Sequence, residues 1–125
     1  MLLAPNQNKP KGFFGEQQVV RWLQQNGYTI ITQNYACKFG EIDIIAKKQD
    51  IISFIEVKTR FITYFDLSEL ITTSKQRKII ATAKRYIALY GNCRQIYQFD
   101  VALVEKTPEG LIVSYIANAF YGSEF

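Results

Sequence analysis

The sequence predicts an α/β fold in which a mixed central β-sheet is flanked by α-helices. One observation behind this prediction is that segments rich in β-branched and aromatic residues alternate with two amphipathic segments of helical spacing. A second is size, because 125 residues with 48% hydrophobic content suffice for one domain with its own core. We expect the order α-β-β-β-α-β within a single domain over residues 12–125, after a flexible leader over residues 1–11.

The first helix is predicted to begin after Gly15 and to end at Gly27. Its apolar side chains recur at helical spacing, and they are Val19, Val20, Trp22 and Leu23. Three strands follow, in the segments YTIITQNYACKF, GEIDIIAKK and IISFIEVKTR.

The second helix is predicted in SKQRKIIATAKRYIALYG and is closed by Gly91. The apolar face assigned to it consists of Ile79, Ile80, Ala83, Ile87 and Tyr90. A fourth strand is expected in QIYQFDVALVE, and LIVSYIANAF is expected to add a C-terminal edge strand after a Pro-Glu-Gly turn.

Charged residues interrupt the two most strand-like segments, which are predicted to pair as a hairpin. The residues are Glu41, Asp43, Glu56 and Lys58. A two-residue loop places Asp43 opposite Glu56, whereas a four-residue loop places Glu41 there. Either even loop puts all four on one face of the sheet, because side chains alternate along a strand. An odd loop or a bulge would separate them.

Composition limits the classes of function. The net charge of +4 is compatible with an acidic partner such as nucleic acid, and equally with many other proteins. The chain has no His, and its two cysteines match no ligand spacing, so a structural zinc site is not expected. We expect both cysteines to be reduced thiols in a cytoplasmic protein, because no apolar run is long enough to span a bilayer.

The opposed carboxylates indicate a metal site. Two carboxylates in a partly dry cleft repel each other, and at least one pKa rises unless a cation arrives. Oxygen ligands without His or Cys suit Mg²⁺ or Mn²⁺. Lys58, two residues after Glu56 on the same face, could orient or deprotonate an attacking water or offset phosphoryl charge.

Two motifs carry a family resemblance. The pattern Asp43, a spacer and Glu56-Val57-Lys58 resembles the PD-(D/E)xK nuclease motif. The longer string resembles the YraN-like family, and it comprises Gly12-x-x-Gly15-Glu16, Asn34-Tyr35, GEIDIIA from Gly40 to Ala46, and EVKTR from Glu56 to Arg60. That family is similar to archaeal Holliday junction resolvases. The resemblance covers nearly all of the chain beyond the leader, and it implies a restriction-endonuclease-like core.

The resemblance implies roles for particular residues. It makes Asp43, Glu56 and the Val57 backbone carbonyl ligands of Mg²⁺ or Mn²⁺, with Lys58 catalytic. It also implies that Glu16 projects over the sheet toward both acids, as an outer ligand or a ligand of a second metal. Helical periodicity independently places Glu16 on the buried stripe of the first helix.

Several side chains keep two interpretations. Glu41 supports the site or pairs with Arg60. Gln76 points toward the sheet as a supporting group, or is an amide bonded to backbone at the edge of the core. Arg60, Lys75 and Lys78 contact nucleic acid, or belong to a solvated face.

Two further features are also open. The aromatic residues Phe61, Tyr64 and Phe65 could stack on bases or pack as a lid. Asp100 could lie at the edge of the site, or pair with a basic side chain. The alternative to a metal site as a whole is a salt-bridge ladder on an exposed sheet face, joining Glu41 and Glu56 to Lys58 and Arg60.

The expected function is Mg²⁺-dependent hydrolysis of phosphodiester bonds in DNA, structured or branched DNA in particular. The rival interpretation is a nucleic-acid-binding protein of nuclease fold that has lost cleavage or needs a protein partner for it. Fold alone does not choose between them. The intact set of Asp43, Glu56 and Lys58 favours the enzyme. Whether two copies pair as a homodimer to cut two strands is left open by the sequence.

Overall fold

A computed structural model describes residues 13–60 and 71–121 of the protein. In these ranges the elements are α1 (Phe13–Gln25), β1 (Thr29–Cys37), β2 (Gly40–Lys48), β3 (Ile51–Arg60), α2 (Thr73–Tyr90), β4 (Ile96–Thr107) and β5 (Gly110–Phe120). This order confirms the predicted α/β class, and β5 is the expected C-terminal strand. The leader and the aromatic residues Phe61, Tyr64 and Phe65 lie outside the described residues, and the single-domain prediction stays a prediction.

The strands form one mixed sheet in the order β1-β2-β3-β4-β5. Neighbours pair antiparallel except β3 and β4, which are parallel and are connected through α2. In the β2–β3 hairpin, Lys48 pairs with Ile51. The loop is therefore the two-residue Gln49-Asp50 alternative, with Gln49 at a φ of 57°.

Apolar residues cover both faces of the sheet. The core on the α1 side contains Val19, Leu23, Ile44, Ala46, Ile55, Ala102 and Val104. The core on the α2 side includes Ile45, Ile52, Phe54, Ile79, Ala83, Tyr86, Phe99, Val101 and Leu103. Strands buried on both faces read as nearly continuous apolar runs, which explains the composition of β3 and β4.

The first helix differs from its predicted bounds because Gly15 lies inside it rather than before it. A Cβ at Gly15 would come within 2.5 Å of Thr59 Oγ1, so this glycine permits close packing of α1 on β3. At the other end, Gly27 has a φ of 89°, and the Tyr28 N–H donates to the Leu23 carbonyl.

The second helix buries a different stripe from the predicted one. Its buried residues are Ile79, Thr82, Ala83 and Tyr86. Tyr90, assigned to the apolar face, is 63% exposed, so that assignment is wrong. Relative to the prediction, the buried face of the helix is rotated by roughly one position toward Thr82. Burial of Thr82 costs little, because its hydroxyl donates a hydrogen bond to the Lys78 carbonyl.

No helix within the described part of the chain combines the length and apolar character needed to cross a bilayer.

Candidate functional site

The candidate site lies where β2 and β3 separate. Their pairing ends at Ile44 and Ile55, one step before Asp43 and Glu56 would face each other. Beyond that step, β2 stays paired with β1 and β3 stays paired with β4. The Asp43 carboxylate bridges the two strands, because its Oδ2 atom accepts a 2.8 Å hydrogen bond from the Val57 N–H.

Glu56 lies on the α2 side of β3, following the alternation of Ile52 and Phe54. It is only 5% exposed. Burial is the largest cause that raises its pKa, to about 7, and the neighbouring Asp43 charge raises it further. Burial also raises the pKa of Asp43, and a hydrogen bond from the Glu56 carboxyl opposes that shift. Without an added cation, burial and the proximity of the two acids therefore disfavour the state in which both are ionised.

Two lysines approach the buried Glu56 carboxylate. The Glu56 Oε2 atom is 3.7 Å from Lys58 Nζ and 3.5 Å from Lys75 Nζ. Both distances exceed the roughly 2.7–2.9 Å of a charge-assisted hydrogen bond. The attraction of two ammonium groups at this range lowers the Glu56 pKa, but burial and Asp43 outweigh it. The centre therefore retains an electrostatic preference for more positive charge.

An open cleft of about 390 Å³ gives access to Asp43. It is lined by Ala36, Cys37, Gly40, Glu41, Asp43, Lys75 and Lys78. Glu41 is exposed at this rim, and its charge raises the pKa of Asp43. Gly40 lets β2 approach α2 closely, because a Cβ there would be 3.3 Å from Thr82 Oγ1 and 3.4 Å from Lys78 Cβ.

Glu16 lies in the first turn of α1. Gly15 places this turn against Thr59, three residues after Glu56 along β3, so α1 begins over the end of the sheet that carries the acids. The buried side of α1 packs on the sheet face opposite α2. That the Glu16 carboxylate reaches Asp43 and Glu56 stays a prediction.

The other predicted site residues divide between the centre and its edge. The Gln76 side-chain amide donates to the Ile71 carbonyl at 3.2 Å, which supports the core-edge interpretation of this residue. Arg60 is exposed at the end of β3. Because Glu56 is buried and pairs with Lys75 of the helix, the ladder on an exposed sheet face does not describe its surroundings.

Asp100 belongs to a separate network. This fully buried carboxylate accepts hydrogen bonds from the Tyr115 hydroxyl, from Gln98 Nε2 at 3.1 Å and from the Asn118 N–H at 2.9 Å. Its donors in residues 13–60 and 71–121 are neutral, so the expected pairing with a basic side chain is wrong for the described part of the chain. The Asn118 N–H lies in an irregular part of the β4–β5 pairing, where the carboxylate replaces a missing ladder acceptor.

The site offers few side chains that could hold a metal ion. In residues 13–60 and 71–121, no group of three His, Cys, Asp or Glu side chains is arranged to hold one. Two adjacent carboxylates can nonetheless bind Mg²⁺ or Mn²⁺, which retain several waters and need few protein ligands. The fit therefore rests on Asp43 and Glu56, whose oxygens have the chemistry these ions prefer.

The sequence prediction missed the central position of Lys75, which it treated as a nucleic-acid contact or as part of a solvated face. Lys75 precedes the buried residues Ile79, Thr82 and Tyr86 by four, seven and eleven positions, so it lies on their stripe. Centring the helix on this stripe would have turned Lys75 toward Glu56.

Comparison with known proteins places the chain in a family. The model of the uncharacterised protein family UPF0102 matches residues 15–104. The chain belongs to the UPF0102 family. This result confirms the YraN-like resemblance, and the match includes Glu16, Asp43, Glu56 and Lys58.

Similar UPF0102 proteins occur in distant bacteria. One from Clostridium perfringens (strain 13 / Type A) is 48% identical over 95 residues, which are 75% of this chain and 78% of the relative. One from Treponema pallidum (strain Nichols) is 42% identical over 121 residues, covering 93% and 96%. One from Myxococcus xanthus (strain DK1622) is 33% identical over 118 residues, covering 94% of each chain. The names of these UPF0102 relatives state no activity.

Proposed function

We propose that this UPF0102 protein is a metal-dependent endonuclease of the PD-(D/E)xK type that hydrolyses phosphodiester bonds in DNA. The observation that carries the proposal is the pair of adjacent, largely buried carboxylates on diverging strands, Asp43 and Glu56, with the Lys58 ammonium beside them. Buried acids with raised pKa values are costly to a small fold, and such clusters are typical of functional sites.

Asp43 and Glu56 would hold Mg²⁺ or Mn²⁺, together with the Val57 backbone carbonyl. The ion would supply positive charge to the phosphate undergoing attack and lower the pKa of a water molecule. The hydrogen bond that Asp43 Oδ2 accepts from the Val57 N–H supports this role, because it holds the carboxylate at the point where the two strands diverge.

Lys58 would act on the substrate directly. Its side chain is 31% exposed, so the ammonium group reaches both solvent and Glu56. A cation at this point offsets the charge that builds on the phosphoryl oxygens as the phosphodiester bond breaks. Lys75 and Lys78, which line the same cleft, would contact the phosphates on either side.

Thermal melts with Mn²⁺ and a cleavage screen test this proposal together. We expect Mn²⁺ to raise the melting temperature, because a ligand that binds only the native state stabilises it. Asp43→Asn should abolish the shift, and the control Glu109→Gln, in the exposed β4–β5 turn, should retain it. The screen covers branched, nicked and single-stranded DNA with Mg²⁺ or Mn²⁺. An unchanged shift in Asp43→Asn would place the ion elsewhere.

A second candidate function is DNA binding without independent cleavage. The observation that favours it is that Lys58 and Lys75 both approach Glu56 and already compensate part of its charge. In that case the protein would bind branched DNA, show no Mn²⁺-dependent shift and leave every DNA in the screen intact.

A further inference from the structure

A second cleft adjoins the candidate site. Its volume is about 350 Å³, and it is lined by Cys37, Lys38, Phe39 and Arg85. Cys37 also lines the cleft that contains Asp43, so the two clefts are neighbours on either side of this residue. A polymer bound at the acid pair would therefore need to pass only Cys37 to reach the second cleft.

Phe39 is the aromatic residue of this cleft, and it is presented by a tight turn. Cys37 pairs with Gly40 across the β1–β2 hairpin, so Lys38 and Phe39 form a two-residue loop. The Phe39 N–H donates to Cys37 Sγ at 3.4 Å, which orders the turn, yet the Phe39 side chain is 45% exposed. Single exposed aromatics are common on protein surfaces, so exposure alone does not indicate a site.

The charges around Phe39 distinguish it from such a residue. Lys38 Nζ lies over one face of the Phe39 ring, 5.3 Å from the ring centre, and Arg85 lines the same cleft. An aromatic ring flanked by cations has the two features that single-stranded nucleic acid requires, namely a stacking surface for a base and positive charge for the backbone.

We propose that Lys38, Phe39 and Arg85 form a subsite, the Phe39 subsite, that stacks an unpaired nucleotide next to the phosphate held at the acid cleft. The occupant is unpaired because a base inside a duplex has both faces covered by its neighbours. Phe offers no hydrogen-bonding group to a base, so the subsite favours branched, flapped or single-stranded DNA without sequence preference. This inference rests on the proposed function and narrows its substrate class.

Binding without metal tests the subsite separately from cleavage. Fluorescence anisotropy in EDTA would compare a flap oligonucleotide with a blunt duplex of equal length. We expect Phe39→Ala to weaken flap binding by about 5- to 150-fold, the equivalent of ~1–3 kcal/mol per stacked base, and to leave duplex binding unchanged. Phe39→Tyr, which keeps a stacking ring, should retain native affinity. Tyr121→Ala, which removes a 79% exposed aromatic beyond β5, is the matched control.

Salt dependence tests the basic part of the subsite. Arg85→Ala should reduce the slope of log affinity against log salt by about 1 for flap DNA, whereas Phe39→Ala should leave the slope unchanged. Arg94→Ala is the control. Arg94 precedes β4 at the end of the sheet that carries the β2–β3 turn, where the Ile96 N–H donates to the Asp50 carbonyl, and it does not line the Phe39 subsite. It should not change the slope.

The two proposals fail in different ways. Native flap affinity in Phe39→Ala, or an equal loss on flap and duplex, would overturn the subsite even if the native protein cleaves DNA. Native protein that binds the flap no more tightly than the duplex would overturn it as well. Absence of cleavage and of a Mn²⁺ shift would instead overturn the nuclease proposal. Circular dichroism melts of Phe39→Ala should match the native melt, and Lys38→Ala gives an independent flap-binding readout if they do not.

Discussion

Glu56 illustrates how one residue can oppose the stability of the fold that contains it. The positions before it on the same face of β3 are buried and apolar, and Glu56 is buried with them. Its pKa of about 7 means that ionising it in the folded protein costs free energy that ionising it in the unfolded chain does not. The protein therefore carries a destabilising group at the place where the acids meet.

Glu56→Gln should stabilise the metal-free protein at alkaline pH. The pKa of Glu56 is higher in the folded protein than in the unfolded chain. The free energy of unfolding of the native protein therefore decreases as the pH rises from about 4.3 through 7. The variant lacks this loss, so its advantage over the native protein should grow by about 3 kcal/mol between pH 4 and pH 8, because each unit of pKa shift corresponds to about 1.4 kcal/mol. Urea unfolding in EDTA at several pH values measures it. A difference between the two proteins that is constant with pH would contradict the raised pKa.

Lys58→Ala should separate catalysis from binding. Removing a cation that acts on the reacting phosphate should lower the cleavage rate by about 10²-fold or more, while Mn²⁺ binding and DNA affinity change little. Single-turnover cleavage and thermal melts with Mn²⁺ provide the two readouts. Lys47→Ala, at the hairpin end of β2, is the control for loss of surface charge. Undiminished cleavage by Lys58→Ala would remove it from the catalytic set.

At the scale of elements, the close contact between β2 and α2 shapes the acid cleft. Gly40 has a φ of 153°, and the positions of Thr82 and Lys78 leave little room for a side chain. The same approach brings Asp43 and the α2 lysines into one cleft. The glycine of GEID thus sets the distance between the strand and the helix.

Gly40→Ala should destabilise the protein through both backbone strain and crowding. Gly110→Ala is a matched control, because Gly110 has a φ of 126° but nothing within 4 Å of an added Cβ. We expect Gly110→Ala to lower the free energy of unfolding by about 1 kcal/mol, because only its positive φ is strained. Gly40→Ala should lower it by more, and it should also weaken Mn²⁺ binding. Equal losses of unfolding free energy, with Mn²⁺ binding intact in both, would contradict the role given to the β2–α2 contact.

The start of α1 is the second element that bears on the site. Gly15 brings it against β3, and Glu16 follows immediately. Glu16→Gln is nearly isosteric, so we expect little change in stability without metal and a joint decrease in Mn²⁺ affinity and cleavage. Gln17→Glu, at an exposed position one residue further, controls for charge at the helix start. Full activity of Glu16→Gln would limit Glu16 to a structural role.

At the scale of the whole molecule, the hydrogen bonds of Asp100 connect β4 and β5 with α1. Tyr115 donates to Asp100 and stacks on Trp22 of α1 with ring centres 4.8 Å apart. Burial and the Asp100 charge raise the pKa of Tyr115, so its hydroxyl stays a donor at physiological pH. Asp100 of β4 thereby binds β5 directly through Tyr115, and the Tyr115 ring in turn packs on α1.

Tyr115→Phe should lower the free energy of unfolding by about 1–3 kcal/mol, because it removes one donor from a buried carboxylate. Tyr121→Phe, at an exposed position, should change it by less than about 0.5 kcal/mol. Chemical denaturation measures both. The Mn²⁺-induced shift should survive in Tyr115→Phe, since the network is separate from the acid pair. Loss of that shift would show that the Asp100 network is coupled to the Asp43 and Glu56 pair.

The sequence alone determined the order of the elements and limited the central hairpin to two loop lengths. Runs of β-branched residues gave β2 and β3 their observed bounds, and strict alternation along the strands put Glu56 on a defined face. It also determined family membership, because the GEIDIIA and EVKTR motifs lie within the matched region. These features depend on local chemistry, which a linear pattern records.

Only the tertiary structure decided how the strands diverge and which helix residues meet the acids. The separation of β2 from β3 depends on the other neighbours of each strand, so it leaves no mark on either segment. The inward position of Lys75 depends on a rotation of α2 by about one residue, made possible by the buried Thr82 hydroxyl. The partners of Asp100 are up to eighteen positions away along the chain. Contacts of this kind are set by packing between elements, and for that reason the sequence pattern could not predict them.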